Sequence, residues 1–256
     1  WLHIFSETAQ EAYENTLLAL RLSEKVLLPS MVMLDGFFTT HNVEGVNILP
    51  DEVVKKFVGE YKADKPLLDT DNPITVGPVE LQNYFMETKW QQNLAMKEAK
   101  KEYLKIGQEF SKITGNKYEL FEEYRTKDAE YIMVVLSSTA GTTKDVVDEL
   151  RDKGQKVGLL RPRLFRPFPY QEMLKALEHA KRIAVLDRSE SYGSYPPLYS
   201  EIRNAFYDSK ARPELWSYVF GLGGRDISKK ELAQVFSALQ AGKKPTDEIT
   251  YIGLRK

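Results

Sequence analysis

The sequence predicts an α/β protein: a three-layer α/β/α sandwich on a mostly parallel sheet. Three observations carry that expectation. Four apolar runs recur in the second half, at 131–136, 157–160, 183–186 and 215–220. Each is apolar at nearly every position rather than at alternate ones, as in strands covered by helices on both faces. Each is followed by a helical pattern, and strand–helix alternation implies right-handed crossovers between parallel strands.

The helices are read from their spacing. Val146, Val147 and Leu150 mark the first, Met173, Leu174 and Leu177 the second, and Leu198, Ile202, Ala205 and Phe206 the third. The fourth opens on Ser228 with Glu231 three residues on, a capping box, and continues through Leu232, Val235, Phe236 and Leu239.

The first stretch reads directly into a helix with a second capping box, Thr8 with Glu11, and a stripe of Tyr13, Leu17 and Leu20. A short apolar strand at 31–34 follows and ends at Asp35-Gly36. One strand and one helix make no core. The chain also starts at Trp1 rather than Met, so it is expected to be part of a longer chain with further strands upstream. Residues 59–77, with Pro66 and Pro73 among charges, read as an irregular arm. A long helix is expected from Gly77-Pro78 to about Ile113. In it Met96, Ala99, Tyr103, Ile106, Phe110 and Ile113 form a heptad seam, expected to pack on its own chain rather than on a partner helix.

Composition narrows the function. The chain has 256 residues, 36 Lys+Arg against 37 Asp+Glu, and 42% hydrophobic residues. A net charge of −1 gives no polyelectrolyte drive toward nucleic acid or an anionic membrane. No apolar run reaches the ~20 residues of a membrane span and no signal-peptide pattern appears, so a cytoplasmic location is expected. With no Cys, neither disulfides, a thiol nucleophile nor Cys-ligated iron–sulfur clusters belong to this chain. His3, His41 and His179 are scattered, without metal-ligand spacing.

In a parallel sheet, ligands and interfaces gather beyond the carboxyl ends of the strands. Four polar segments fall there and make up a candidate ligand- or subunit-facing rim. The first holds Thr139, Gly141, Thr142 and Thr143, hydroxyls and backbone N–H groups at a helix start, where capping by Thr142 or Thr143 competes with anion binding. The second holds Arg161, Arg163 and Arg166. Arg161 and Arg163 share a face if extended and suit a carboxylate or phosphate, or equally an ion pair with Asp187 or Asp226. Asp187, Arg188 and Ser189 form the third. Gly221, Gly223, Gly224, Arg225 and Asp226 form the fourth, whose glycines do not make G-x-G-x-x-G and are expected to serve positive φ or close backbone approach. No catalytic acid, base or nucleophile stands out, and no metal site.

At these loops the sequence resembles a known family. Leu34-Asp35-Gly36-Phe37 with His41-Asn42-Val43-Glu44, then Leu160-Arg161-Pro162-Arg163-Leu164-Phe165-Arg166-Pro167-Phe168-Pro169, Val185-Leu186-Asp187-Arg188-Ser189, Pro197-Leu198-Tyr199-Ser200-Glu201-Ile202-Arg203 and Gly221-Leu222-Gly223-Gly224-Arg225-Asp226 occur in order. Together they resemble the alpha subunits of the pyruvate:ferredoxin oxidoreductase (pyruvate synthase) family. Tyr195-Pro196 stands where the family has a more glycine-rich turn.

The resemblance implies that residues 1–50 end a pyrimidine-binding thiamine diphosphate domain and that 51–128 form a connector arm and long helix. It implies a transketolase C-terminal-like domain II at 129–242 and a C-terminal tail at 243–256. It further implies conversion of pyruvate, CoA and oxidised ferredoxin to acetyl-CoA, CO2 and reduced ferredoxin, reversibly; 2-oxoglutarate or a branched-chain 2-oxoacid is the alternative substrate. Thiamine diphosphate with magnesium would be shared with a partner subunit, and the 4Fe–4S clusters would lie on other subunits (beta, gamma, delta). The family's catalytic glutamate and substrate-binding arginine would precede Trp1, so no catalytic residue is assigned within this chain. The alternative reading is a non-catalytic CoA- or nucleotide-binding or assembly module using the 139–143 loop with Arg161 and Arg163.

Overall fold

The computed structural model describes residues 1–63 and 65–255; Asp64 of the expected arm and Lys256 of the expected tail lie outside them. The chain opens on a strand, not directly on a helix. This is β1 (Leu2–Phe5), whose Leu2 and Ile4 are buried while His3 and Phe5 are half-covered. Four alternating residues are too short a signal to separate from the helix behind them. That helix, α1 (Ala9–Val26), leads to β2 (Ser30–Met33), parallel to β1.

The face that α1 buries is not the expected Tyr13–Leu17–Leu20 stripe. It carries Leu18, Ala19 and Leu22 together with Glu14 and Asn15, while Leu20 is exposed. Two polar residues hide this face from hydrophobic periodicity. Both are bonded: Asn15 Nδ2 donates to Ser6 Oγ at 2.9 Å, and Glu14 Oε1 accepts from Asn116 Nδ2 at 2.8 Å. The N-terminal capping box is also only half formed. Thr8 Oγ1 accepts from Glu11 N–H at 3.2 Å, but the Glu11 carboxylate turns to the Glu7 N–H and to two arginines.

A short helix, α2 (Asp51–Val58), opens the expected connector ahead of the arm. The long helix α3 (Phe85–Thr114) starts eight residues later than Gly77. Its seam packs on its own chain: Ala99, Tyr103, Ile106 and Phe110 are buried against α1, Phe57 and Tyr118. Met96 is half-covered and Ile113 is exposed at the ends of that seam.

The second sheet has six strands in the order β3-β5-β4-β7-β8-β9. These are β3 (Phe121–Tyr124), β4 (Tyr131–Val135), β5 (Val157–Pro162), β7 (Arg182–Asp187), β8 (Glu214–Val219) and β9 (Ile249–Tyr251). All neighbouring pairs are parallel except β3 with β5. Helices α4 (Thr139–Arg151) and α7 (Lys229–Ala241) cover one face, burying Val146, Val147, Leu150, Leu232, Phe236 and Leu239 on Met133, Leu186 and Trp216. The other face is covered by α5 (Tyr170–Leu177) and α6 (Pro197–Phe206), with Met173, Leu177, Leu198 and Ile202 on Ile132, Val134 and Val185. At about 1.5–3 kcal/mol per buried large aliphatic side chain, these two layers hold the sheet between them. The Ser228–Glu231 capping box forms as expected.

Three strands join from unexpected places. β3 lies inside the expected connector and β9 inside the expected tail, so the second sheet extends beyond 129–242 at both ends. β6 (Leu164–Arg166) leaves the second sheet altogether and pairs antiparallel with β1, giving a first sheet ordered β2-β1-β6. The two halves are therefore stitched by a strand from one lying in the sheet of the other.

Candidate functional site at the carboxyl edge

Because β4, β5, β7 and β8 run parallel, the four polar segments leave the sheet at one edge. They do not form one cluster. They fall into an interior ionic node, a hinge at the α4 start, a helix cap and an open outer loop.

The interior node is built on Arg161, which is wholly buried in β5. Its Nη1 and Nη2 donate to Glu11 Oε2 and Oε1 at 2.9 and 2.8 Å. Nε and Nη2 reach Glu122 Oε2 at 3.0 and 2.7 Å, and Nε lies 2.9 Å from Glu7 Oε2. Arg163 shares the same face and adds a contact to Glu11 Oε1 at 2.7 Å, while Lys144 of α4 bridges Glu7 and Glu122 at 2.8 and 2.9 Å. Burial works to raise the Glu11 carboxyl, but the charges of Arg161 and Arg163 outweigh it and hold it below the usual range. The same balance, with Arg161 and Lys144, lowers Glu122.

This settles the choice left open for Arg161: it pairs internally, though not with Asp187 or Asp226. Strand order is the reason. β5 sits between β3 and β4, so Glu122 of β3 is adjacent while Asp187 of β7 lies a strand further off. Arg166 is also committed, with Nη2 2.6 Å from Glu201 Oε1 and its guanidinium over the Phe165 ring.

The hinge lies where β2 meets α4. Asp35 Oδ2, just past β2, accepts from the Ser138 N–H at 3.0 Å and from Ser138 Oγ. Ser138, not Thr142 or Thr143, is the N-cap of α4. Thr143 is buried and bonds back to the Thr139 carbonyl at 2.8 Å, and Thr142 is half-covered further along. The helix N-terminus at which capping competed with anion binding thus already faces a carboxylate of this chain. Arg188 Nη2 donates to Thr139 Oγ1 at 2.8 Å, and Nε lies 3.7 Å from Asp35 Oδ1. Its guanidinium is held between the Phe38 and Phe220 rings, 4.6 and 5.0 Å from their centroids. Two glycines permit the closeness. A Cβ on Gly141 would stand 3.3 Å from Glu7 Oε1, and one on Gly221 (φ +68°) would stand 3.3 Å from the Arg188 side chain.

Asp187 serves as the cap that α6 lacks. Pro196 and Pro197 offer no N–H at the start of that helix, and Asp187 accepts from the next two donors, Leu198 N–H at 2.9 Å and Tyr199 N–H at 3.1 Å. Burial pushes its carboxyl up to about 7 despite those two bonds. The outer loop remains open: Ser189, Gly223, Gly224, Arg225 and Asp226 are exposed, Arg225 donates to the Gly253 carbonyl and Asp226 caps the Ile227 N–H at 2.9 Å. Gly223 and Gly224 take φ of +68° and +79°, as their glycine identity requires.

Two family models match this chain in the order of its two sheets. Residues 1–108 match pyruvate flavodoxin/ferredoxin oxidoreductase, thiamine diphosphate-binding, and residues 129–232 match pyruvate:ferredoxin oxidoreductase core domain II. Along its entire length the chain is 49% identical to pyruvate synthase subunit PorA of Thermotoga maritima. The chain belongs to the pyruvate:ferredoxin oxidoreductase family. It is also 40% identical to the PorA subunit of Methanothermobacter thermautotrophicus, and 37% identical over 92% of its length to ketoisovalerate oxidoreductase subunit VorA of Pyrococcus abyssi. It spans 66%, 65% and 60% of those relatives respectively.

The fold of this family member is shared with a 2-oxoglutarate:ferredoxin oxidoreductase from Magnetococcus marinus, solved with 2-oxoglutarate, coenzyme A and succinyl-CoA bound. The match has a TM-score of 0.58 at 14% identity and covers 93% of this chain and 42% of that one.

The residues present do not fit the diphosphate–magnesium group that the family implies. Among the described residues no three His, Cys, Asp or Glu side chains gather as metal ligands. Arg161 and Arg163 are neutralised by glutamates, and Asp35 occupies the α4 N-terminus. Sequence reasoning missed Asp35, Glu7 and Glu122 as rim residues. Asp35 carried one signal, its place at the carboxyl end of β2; Glu7 and Glu122 carried none.

Proposed function

We propose that this chain is the alpha-type subunit of an enzyme that oxidises pyruvate with CoA to acetyl-CoA and CO2, passing electrons to ferredoxin, and that runs reversibly. The observation that carries the reading is the 49% identity to a pyruvate synthase subunit over the whole chain. In this reading residues 1–50 end the pyrimidine-binding domain, 51–128 are the connector, 129–242 are domain II and 243–256 the tail, with β3 of the connector and β9 of the tail joining the sheet of domain II.

The contribution of this chain is then a rim rather than a reacting group. Asp35 and Arg188 fix the turn after β2 against α4, and the Arg161 node fixes α1 against the second sheet. That holds the exposed loops at 191–194 and 222–226 in register for a partner subunit or for CoA. In this reading thiamine diphosphate with magnesium is shared with a partner subunit, the pyrimidine end meeting this chain, and the 4Fe–4S clusters lie on other subunits of the assembly. The CoA- or nucleotide-binding module loses its main support, because the arginines it needs are internally paired.

The identity to ketoisovalerate oxidoreductase subunits favours a second reading, the same chemistry on a branched 2-oxoacid. Ferredoxin reduction by the assembled enzyme with CoA and either pyruvate, 2-oxoglutarate or 3-methyl-2-oxobutanoate separates them. Pyruvate giving the highest kcat/KM supports the proposal, and a preference for either other acid replaces it.

A further inference from the structure

Helix α3 has two apolar faces, and its own chain covers one of them. Its 30 residues extend about 45 Å. The residues it buries fully all lie between Ala99 and Phe110, so the first ten residues extend past the packed body. At 100° per residue, Ala99, Tyr103, Ile106 and Phe110 point within about 40° of one direction. Met86, Trp90 and Leu94 point within about 40° of the opposite direction, where 78%, 61% and 42% of each is exposed. No bending of the body onto α3 reaches both sides. A free helical end of this length is marginal in water on its own, and so large an apolar stripe is atypical of an uncovered surface.

We propose that this outer face of α3 pairs antiparallel with the same face of a second copy of the chain, about a two-fold axis level with residue 92. The charges on the stripe argue for a self-partner. Glu87 and Lys97 flank the apolar residues on the same face. In a two-fold contact residue i meets j and j meets i. The register that places Trp90 against Leu94 of the second copy also places Glu87 against Lys97, each pair occurring twice. It sets Lys89 against Ala95 and Glu98 against Met86, so no like charges face each other. A helix pair over 85–99 is smaller than the ~800 Å² that a stable interface takes from each partner. The exposed strap ahead of it, with Leu67, Leu68, Val76 and Val79, supplies further apolar area beside the crossing.

Sedimentation of the full-length subunit carrying Glu87→Lys, Lys97→Glu, or both, tests the pairing. Each single reversal sets like charges opposite each other and weakens self-association by about tenfold, and the double variant restores it. These side chains are exposed, so Tm should not move at concentrations low enough to keep the subunit monomeric. In the assembled enzyme, Glu87→Cys with Lys97→Cys is oxidised in parallel. The two sites are about 15 Å apart on one helix and cannot bridge within a chain. A cross-linked species of two alpha-type subunits supports the proposal. A wild-type subunit that stays monomeric at tens of micromolar overturns it. So does a double reversal no better than the single ones, or a cross-link to a different subunit.

Discussion

Arg161 and Glu11, 150 positions apart in the sequence, form a bidentate pair at 2.8 and 2.9 Å inside the protein. One belongs to the second sheet and the other to the helix that packs on the first. Each of the three guanidinium nitrogens meets a carboxylate of Glu7, Glu11 or Glu122, so the pair works as a rivet between the halves.

Removing the cation should therefore cost more than removing any one carboxylate. Arg161→Met leaves three glutamates around an empty centre, and breaking a buried pair from one side costs about 3–5 kcal/mol. Urea unfolding should show that loss. Arg161→Lys keeps the charge but loses the fork, and should fall between wild type and Met.

Acid sensitivity follows from the same node. Glu11 and Glu122 have folded-state pKa values below the ordinary 4.5, so their stabilisation is present above that pH and is lost as pH falls through the lower folded values. Tm against pH should drop below about pH 4.5, and Glu11→Gln should flatten that part of the curve.

Asp187 has the opposite sign. Its carboxyl is raised to about 7 from an ordinary 3.8, so its contribution is fully present below 3.8 and lost as pH rises through 7. Between pH 5 and 8 Asp187→Asn should remove a downward slope in Tm. An unchanged slope would show that the two helix N–H bonds offset the burial.

Gly107→Ala should destabilise even though alanine is the better helix former by about 1 kcal/mol. A Cβ there stands 2.6 Å from the Tyr118 carbonyl oxygen, a backbone atom that cannot swing aside. Overpacking of this kind costs about 1–3 kcal/mol, which thermal unfolding resolves.

What the sequence disclosed follows from signal length. The four central strands and their helices were legible because each carries a run of four to six nearly all apolar residues and a 3.6-residue stripe behind it. β1, β3, β6 and β9 have three or four residues each, and their pairing is decided by distant partners. β6 is three residues long and lies between Pro162 and Pro167, which mask it as a strand. The rim residues were found as positions, since parallel strands must end together. Their partners were not found, because pairing depends on strand order and on β6 crossing to the first sheet. Without that crossing, nothing in the sequence brings Glu11 to Arg161.

The central claim is that the cations of the rim are spent within the chain, so that it does not hold the diphosphate and magnesium by itself. Calorimetric titration of the 256-residue chain with thiamine diphosphate and magnesium tests it most directly. The account predicts no saturable heat. One-to-one binding in the micromolar range, weakened by Arg163→Ala or Arg188→Ala, would contradict it.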